Sequence, residues 1–451
     1  MVKNSIAIIR RYDIIQLKQK LLNKCKINCE TKGVKKMMTR VENKIRSLLP
    51  TLKETYMYLH SHPELSMQEV ETARYISKRL KDLGLEVHEG IGGTGVAAIL
   101  RNGRGPVVMM RADMDALPMK EETGLPYASQ WTTLNRTGEM VPVSHMCGHD
   151  MHMTWLLGTL EILSETKEDW QGTVVGIFQP GEETAEGSKA MIEGGLSDMI
   201  PKPDIILGQH LMQYCAGTVA IRGGQILTAG DSLEVTFFGK GGHGGMPQNA
   251  IDPVIMASSA VLRLQTIASR EVAPSDQVVI TVGSIQAGKV ENIIPHEARL
   301  KLNVRTTDEK VREKVLEAIR RICEAEALAS GASLMPEIKE INSFPLTVND
   351  EGAAELIEGS FRKYFGNKTL KAEPIGASED FSRFGRAWNV PYVYWFVGGT
   401  KKEIYEEALK SGTTGSLPGP HSPHWAPSLL PTLAVGIETM IIAANNWLRQ
   451  K

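Results

Sequence analysis

Apolar positions recur at helical spacing over residues 41–59 and again over 70–83, where Gly84 ends the run. Short, almost wholly apolar stretches bounded by glycine follow at 96–100 and 107–110, with a turn at Asn102-Gly103 between them. Runs of this kind predict strands buried on both faces. The pattern then alternates, predicting a helix over 154–163, a strand over 173–178, a helix over 188–193 and a strand over 204–207. Strands and helices that alternate with short connections predict a mostly parallel sheet covered by helices.

The rhythm changes near Thr228. Residues 231–238 alternate apolar with polar, as a half-solvated strand does. Helices are expected over 253–266 and 310–327, and strands over 277–282, 298–305 and 334–341. Two helices on one face of a four-stranded antiparallel sheet form an α+β layer of ferredoxin-like type. Beyond Phe344 the α/β pattern returns, with a helix over 350–365, a strand over 392–397 and a last helix over 430–448. The economical division is a discontinuous α/β domain, 41–227 with 344–451, carrying an inserted α+β domain, 228–343.

A chain of 451 residues is long for one core, which agrees with two domains. Its 51 basic and 52 acidic residues balance, which argues against a nucleic-acid or membrane-surface partner. The 5 cysteines are odd in number and scattered, the pattern of reduced cytoplasmic thiols rather than of a disulfide framework. No apolar run approaches the ~20 residues of a membrane span. The apolar patch 6–9 is followed by Arg10-Arg11, without the small-residue site of a signal peptide. Residues 1–40 are rich in Lys and Arg, with Asp13 and Glu30 as their acids. A basic arm for an anionic partner is one reading; the better one is an unfolded tail, or a start at Met37 or Met38.

Four segments concentrate the chemistry. Arg111-Ala112-Asp113-Met114-Asp115-Ala116-Leu117-Pro118 places two acids just past a strand, where α/β sheets bind ligands; a turn cap is the bland alternative. His145-Met146-Cys147-Gly148-His149-Asp150-Met151-His152 offers a thiol and imidazoles, a ligand mixture suited to borderline-soft metals. A non-helical turn there would point Cys147 and His149 at one ion, and Asp150 or Thr154 would cap the helix that follows. Gln179-Pro180-Gly181-Glu182-Glu183 sets adjacent carboxylates at a strand end, where one can bind metal and the other move a proton. His210 is expected at the C-terminal end of the 204–207 strand, and gains weight only from that company. Two further segments each offer imidazole. Gly239-Lys240-Gly241-Gly242-His243-Gly244-Gly245 lacks the ending of a phosphate-binding loop, and Gly419-Pro420-His421-Ser422-Pro423-His424 leaves open which histidine it delivers.

Taken in order, these motifs resemble the dinuclear-metal aminoacylase and carboxypeptidase (peptidase M20-type) family. The similarity is to its branch of hippurate hydrolases, indole-acetyl-amino-acid hydrolases and N-acetyldiaminopimelate deacetylases. The resemblance runs from His60-Ser61-His62-Pro63-Glu64-Leu65-Ser66 to the C-terminal helix, taking in Asn292-Ile293-Ile294-Pro295 and Ser378-Glu379-Asp380-Phe381. It implies Cys147, His149, Glu183, His210 and His421 as ligands of two divalent ions, manganese or zinc with cobalt or nickel also compatible. It further implies Glu182 as general base and acid, Asp115 as the acid that orients a ligand or base, and His243 as an oxyanion stabiliser reaching in from the inserted domain. Asn292 and Arg305 would grip the substrate carboxylate, and Asp113 stands where related branches keep a metal-binding histidine. His421 is favoured over His424 as the ligand. The implied protein is a cytoplasmic metal-dependent amidohydrolase cleaving N-acyl amino acids with metal-activated water, a homodimer through the inserted lid domain. The alternatives are a dipeptidase or carboxypeptidase of the same family, disfavoured by the Cys-Gly-His-Asp motif, and an inactive metal-binding paralogue.

Overall fold

A computed structural model describes residues 37–448. Its larger sheet has eight strands, in the order Glu86–Ile91, Gly95–Asn102, Gly172–Gln179, Val107–Asp113, Ile205–Cys215, Tyr392–Thr400, Val219–Ile221 and Thr369–Lys371. The four in the middle, from Gly172–Gln179 to Tyr392–Thr400, are mutually parallel; Gly95–Asn102 and Val219–Ile221 join them antiparallel on either side, and Val219–Ile221 pairs in parallel with Thr369–Lys371. Every residue of Gly172–Gln179 is buried, as expected of a strand covered on both faces.

On one face the helices 37–61, Val70–Asp82, His149–Glu165, Glu351–Phe365 and Leu429–Leu448 close the largest core around Trp155, Phe361 and Trp395. On the other, Gly187–Glu193, Leu196–Met199 and Ser382–Trp388 enclose Met191, Phe384 and Tyr394. The mostly parallel, helix-covered sheet expected from the apolar pattern is therefore present.

The smaller sheet is antiparallel, ordered Val278–Ala287, Glu297–Thr306, Ala229–Phe238 and Glu337–Phe344. The helices Pro253–Thr266 and Glu309–Ala329 pack against it in a separate core that includes Phe237, Leu264, Leu300 and Ile319. Asp252 and Asp308 cap these helices by accepting backbone N–H groups, each cap worth about 1 kcal/mol.

Four local expectations need correction. The helix expected from 154 starts at His149, because Gly148 at φ 85 turns the chain directly into it; the N-cap is Gly148, neither Asp150 nor Thr154. The strand expected to end at 207 continues to Cys215, so His210 lies within a strand rather than after it. Its pairing with Tyr392–Thr400, which places Phe396 beside His210, carries it through the polar residues that masked its length. Residues 37–40, grouped by sequence with the N-terminal extension, form the first turn of a helix: Met38 is buried and Arg40 pairs with Glu168 and Asp169. The rest of that extension lies outside the described residues. Finally, Leu429–Leu448 is long and apolar enough to cross a membrane by length and composition, with a mean hydropathy of 1.2 over its best window. Thr432, Gly436, Glu438 and Thr439 interrupt the apolar run in sequence, and the helix packs into the core.

Candidate metal centre

Strand ends and one helix start bring the chemistry together. Val107–Asp113 runs out into Asp115, Gly172–Gln179 into Glu182 and Glu183, and His149 opens its helix, while His210 comes from the long neighbouring strand.

His149 is fully buried. Its Nδ1 lies 2.8 Å from the Asp115 backbone carbonyl and 3.2 Å from the Asp115 carboxylate. A carbonyl can only accept, so Nδ1 carries the proton and Nε2 faces the cluster. Nε2 is buried without a hydrogen-bond partner, 3.8 Å from Glu183 Oε1, which is likewise buried and unpartnered. Orphaned groups of this kind are costly unless something outside the chain satisfies them. His210 is oriented in the same way: Nδ1 donates to the Leu211 carbonyl at 2.7 Å, and Nε2 faces Cys147 Sγ at 3.4 Å. His421 Nε2 lies 3.3 Å from Glu183 Oε2.

The ligand atoms of Cys147, His149 and His210 fall within 4.8 Å of one another, as do those of Cys147, Glu183 and His421. The two triads share Cys147. All five sequence-predicted ligands are thereby brought together, and a thiol, imidazoles and a carboxylate are the donor set of a transition-metal or zinc site. Holding His421 there takes a backbone φ of 67, which costs about 1–3 kcal/mol in a non-glycine residue. Its N–H donates to the Met146 carbonyl at 2.7 Å, tying the loop to the Cys147 segment. His424 instead sits beside Glu122, with Nε2 3.7 Å from Oε2.

The electrostatics favour a cation. Burial alone would depress the His149 imidazole, yet Asp113, Asp115 and Glu183 outweigh it and hold it at about 10 without metal. Burial, then Glu183, Glu182 and Asp113, push the Cys147 thiol up. Burial, then Glu379, Glu183 and Asp380, raise the Glu182 carboxyl well above the usual range. Burial, then His152, keeps His210 neutral. A divalent ion reverses these preferences by displacing the protons on the thiol and imidazole.

Asp113 and His152 lie beside this cluster but are already engaged. Asp113 accepts from Arg111 at 2.6 Å and from His152 at 2.6 Å, while His152 Nε2 accepts the Leu211 N–H at 2.9 Å. Arg111 also bridges Gln179, Glu379 and Asp380, and the last two crowd Glu182 to within 4.8 Å. Sequence reasoning gave Arg111, Glu379 and Asp380 no role. The available signal was a lone charge closing an apolar strand, Val107-Val108-Met109-Met110-Arg111, with the acids of Ser378-Glu379-Asp380-Phe381 to answer it.

The remaining predicted residues lie in the smaller unit. His243 and Asn292 are exposed on paired short strands and their turn, and among the described residues no hydrogen bond or ion pair joins either to the cluster. Arg305 donates to Asn303 at 3.0 Å and to Ser378, next to Glu379.

Buried thiol, imidazole and carboxylate donors gathered at the strand ends and a helix start of a mixed sheet define a candidate metal site on an α/β scaffold. The description Peptidase family M20/M25/M40 matches residues 109–410, and the chain belongs to that family. It is 35% identical over 340 residues to a hippurate hydrolase of Campylobacter jejuni, spanning 74% of this chain and 85% of that protein. It is 36% identical over 329 residues to an N-acetyl-L-cysteine deacetylase of Bacillus subtilis, 72% of this chain and 76% of that one. The structure superposes on that of a dinuclear metal binding peptidase of the M20 family from Bacillus subtilis with a TM-score of 0.69 at 28% identity, covering 88% of this chain and 98% of that one.

Proposed function

We propose that this chain is a metal-dependent amidohydrolase that cleaves the amide bond of N-acyl amino acids, with Glu182 as general base. The observation that carries this reading is the pair of triads sharing Cys147, set against Glu182, which lies beside both the ligands and a separate acidic wall. Cys147, His149, Glu183, His210 and His421 hold two divalent ions, manganese or zinc, with cobalt and nickel compatible with the same donors. Ions in such a site supply Lewis-acid polarisation of the amide carbonyl and lower the pKa of water.

The chain's own part is proton transfer and positioning. Glu182, buried against Glu379 and Asp380 and beside His149 and Glu183, is placed to take a proton from water and return it to the leaving amine. Asp115 fixes the His149 ring through Nδ1, the arrangement by which a carboxylate sets the orientation of a metal-bound imidazole. Asn292 and Arg305 are assigned to the substrate carboxylate, and His243 to the developing oxyanion. Exposed in a single chain, His243 and Asn292 need closure of the 228–343 domain or a second copy to reach the centre. A homodimer through that domain is consistent with the exposed Val279 and Ile285 on its edge strand. The free thiols Cys147, Cys215 and Cys323 accord with a reducing, cytoplasmic setting.

The test is a panel of hippurate, N-acetyl and indole-acetyl amino acids and plain dipeptides, assayed after reconstitution with each metal. Faster turnover of the N-acyl amino acids is expected. Preference for dipeptides would move the assignment to the peptidases of the family, and no turnover in any reconstituted form would overturn it.

A further inference from the structure

The motif His60-Ser61-His62-Pro63-Glu64-Leu65-Ser66 and its continuation to Glu69 contribute no residue to any candidate metal group, yet the segment contacts Asp150, Asp115 and Gly181 beside His149 and Glu183. His60, buried at the end of the first helix, lies 2.6 Å from Asp150 through Nδ1 and 3.1 Å from Glu121 through Nε2. Asp150 directly follows His149. Ser66 Oγ donates at 2.6 Å to Asp115 Oδ2, an oxygen that also accepts the Glu183 N–H at 3.0 Å. The other oxygen of the same carboxylate faces His149. Glu69 is fully buried; its Oε1 accepts the N–H groups of Gly181 and Met67, each at 2.8 Å, and its Oε2 accepts Thr94 Oγ1 at 2.6 Å. Gly181 is the residue before Glu182-Glu183.

The backbone reinforces these grips. The Ala116 N–H donates to the Glu64 carbonyl at 2.8 Å, beside a bridge between Leu65 and Ala116. Met67 is held at φ 62, and a Cβ on Gly181 would lie 2.6 Å from the Met67 sulfur. A strained residue packed this closely persists only where its surroundings fix it.

We propose that residues 60–69 are a positioning strap: His60 and Glu69 hold the chain one and two residues from His149 and Glu183, Ser66 holds the Asp115 carboxylate that contacts both, and together they set the affinity of the site for its ions. None of the three touches metal or substrate; they act through Asp150, Asp115 and Gly181. The chain spans the loops with three short, buried, charge-assisted hydrogen-bond sets, which are stronger than neutral ones and confine direction as well as distance.

The inference rests on the metal-centre reading above, and one titration separates the two. Metal-free wild type, Ser66→Ala, Glu69→Ala and Glu69→Gln are titrated with Mn²⁺ and Zn²⁺ by calorimetry, with the melting temperature of each metal-free protein read in parallel. Ser66→Ala and Glu69→Ala are expected to bind about 10–100-fold more weakly, the loss typical when partners of metal ligands are removed. Glu69→Gln keeps an acceptor for Gly181 and should recover most of the affinity, and turnover should fall in kcat rather than KM. Wild-type affinity in both alanine variants would overturn the strap while leaving the metal centre standing. A lowered melting temperature with unchanged affinity would overturn it equally, by showing a structural role alone. If Glu69→Ala does not fold, Ser66→Ala decides by the same criterion. A wild type that takes up no metal would overturn both readings.

Discussion

His60 and His149 show how one residue type serves two ends in one core. His149 keeps Nε2 bare within a shell of carboxylates, whereas both nitrogens of His60 are taken by Asp150 and Glu121. Burial alone would lower the His60 imidazole from 6.5, but its two carboxylates raise it to about 9. Its proton is held more tightly folded than unfolded. The stability it contributes is therefore complete below about 6.5 and is lost as pH rises through about 9. Melting curves of wild type and His60→Gln should show their largest gap at or below neutral pH, with the gap narrowing as pH passes 9. A gap independent of pH would mean that His60 is not held as a cation.

At the scale of elements, the centre depends on where strands stop. Arg111 closes its strand with bonds to Asp113, Gln179, Glu379 and Asp380, joining two parallel strands to the loop before Ser382–Trp388. Arg111→Met leaves these buried acids without their counter-ion, and breaking a buried pair from one side costs about 3–5 kcal/mol. Urea unfolding should register a loss of that order; a loss below about 1 kcal/mol, the value of an exposed pair, would show the network to be solvated. Much of this level was legible in sequence. Buried parallel strands announce themselves as apolar runs, and Cys147, His149, Glu182 and Glu183 fall at their ends or at the helix start. His210 misled because its strand continues through the polar residues Gln209, His210 and Gln213, whose place in the strand is decided by pairing with Tyr392–Thr400 rather than by periodicity. The Arg111 network was illegible for a related reason: two of its acids, Glu379 and Asp380, lie 268 and 269 residues away in sequence, a separation that only the fold closes.

For the whole molecule, the two sheets have separate cores, and the chain carries its predicted donors on the larger and its exposed His243 and Asn292 on the smaller. Polar contacts cross between them: Arg386 pairs with Glu309 at 2.6 Å, and Arg305 meets Ser378. Hydrogen bonds and partly exposed ion pairs can be remade in a second arrangement at small cost, which is compatible with the proposed approach of His243 to the centre. The order of motifs carried the family, whereas the distance between His243 and the metal ligands belongs to the relative placement of two units that residue order does not encode.

The division of labour between Glu182 and Glu183 is the central claim, and metal content measured together with hippurate turnover in Glu182→Ala tests it most directly. The variant should retain two ions per chain by elemental analysis while its kcat falls by at least the 10²–10⁴-fold associated with general acid–base catalysis. Loss of the metal from this variant, or turnover at the wild-type rate, would contradict the assignment.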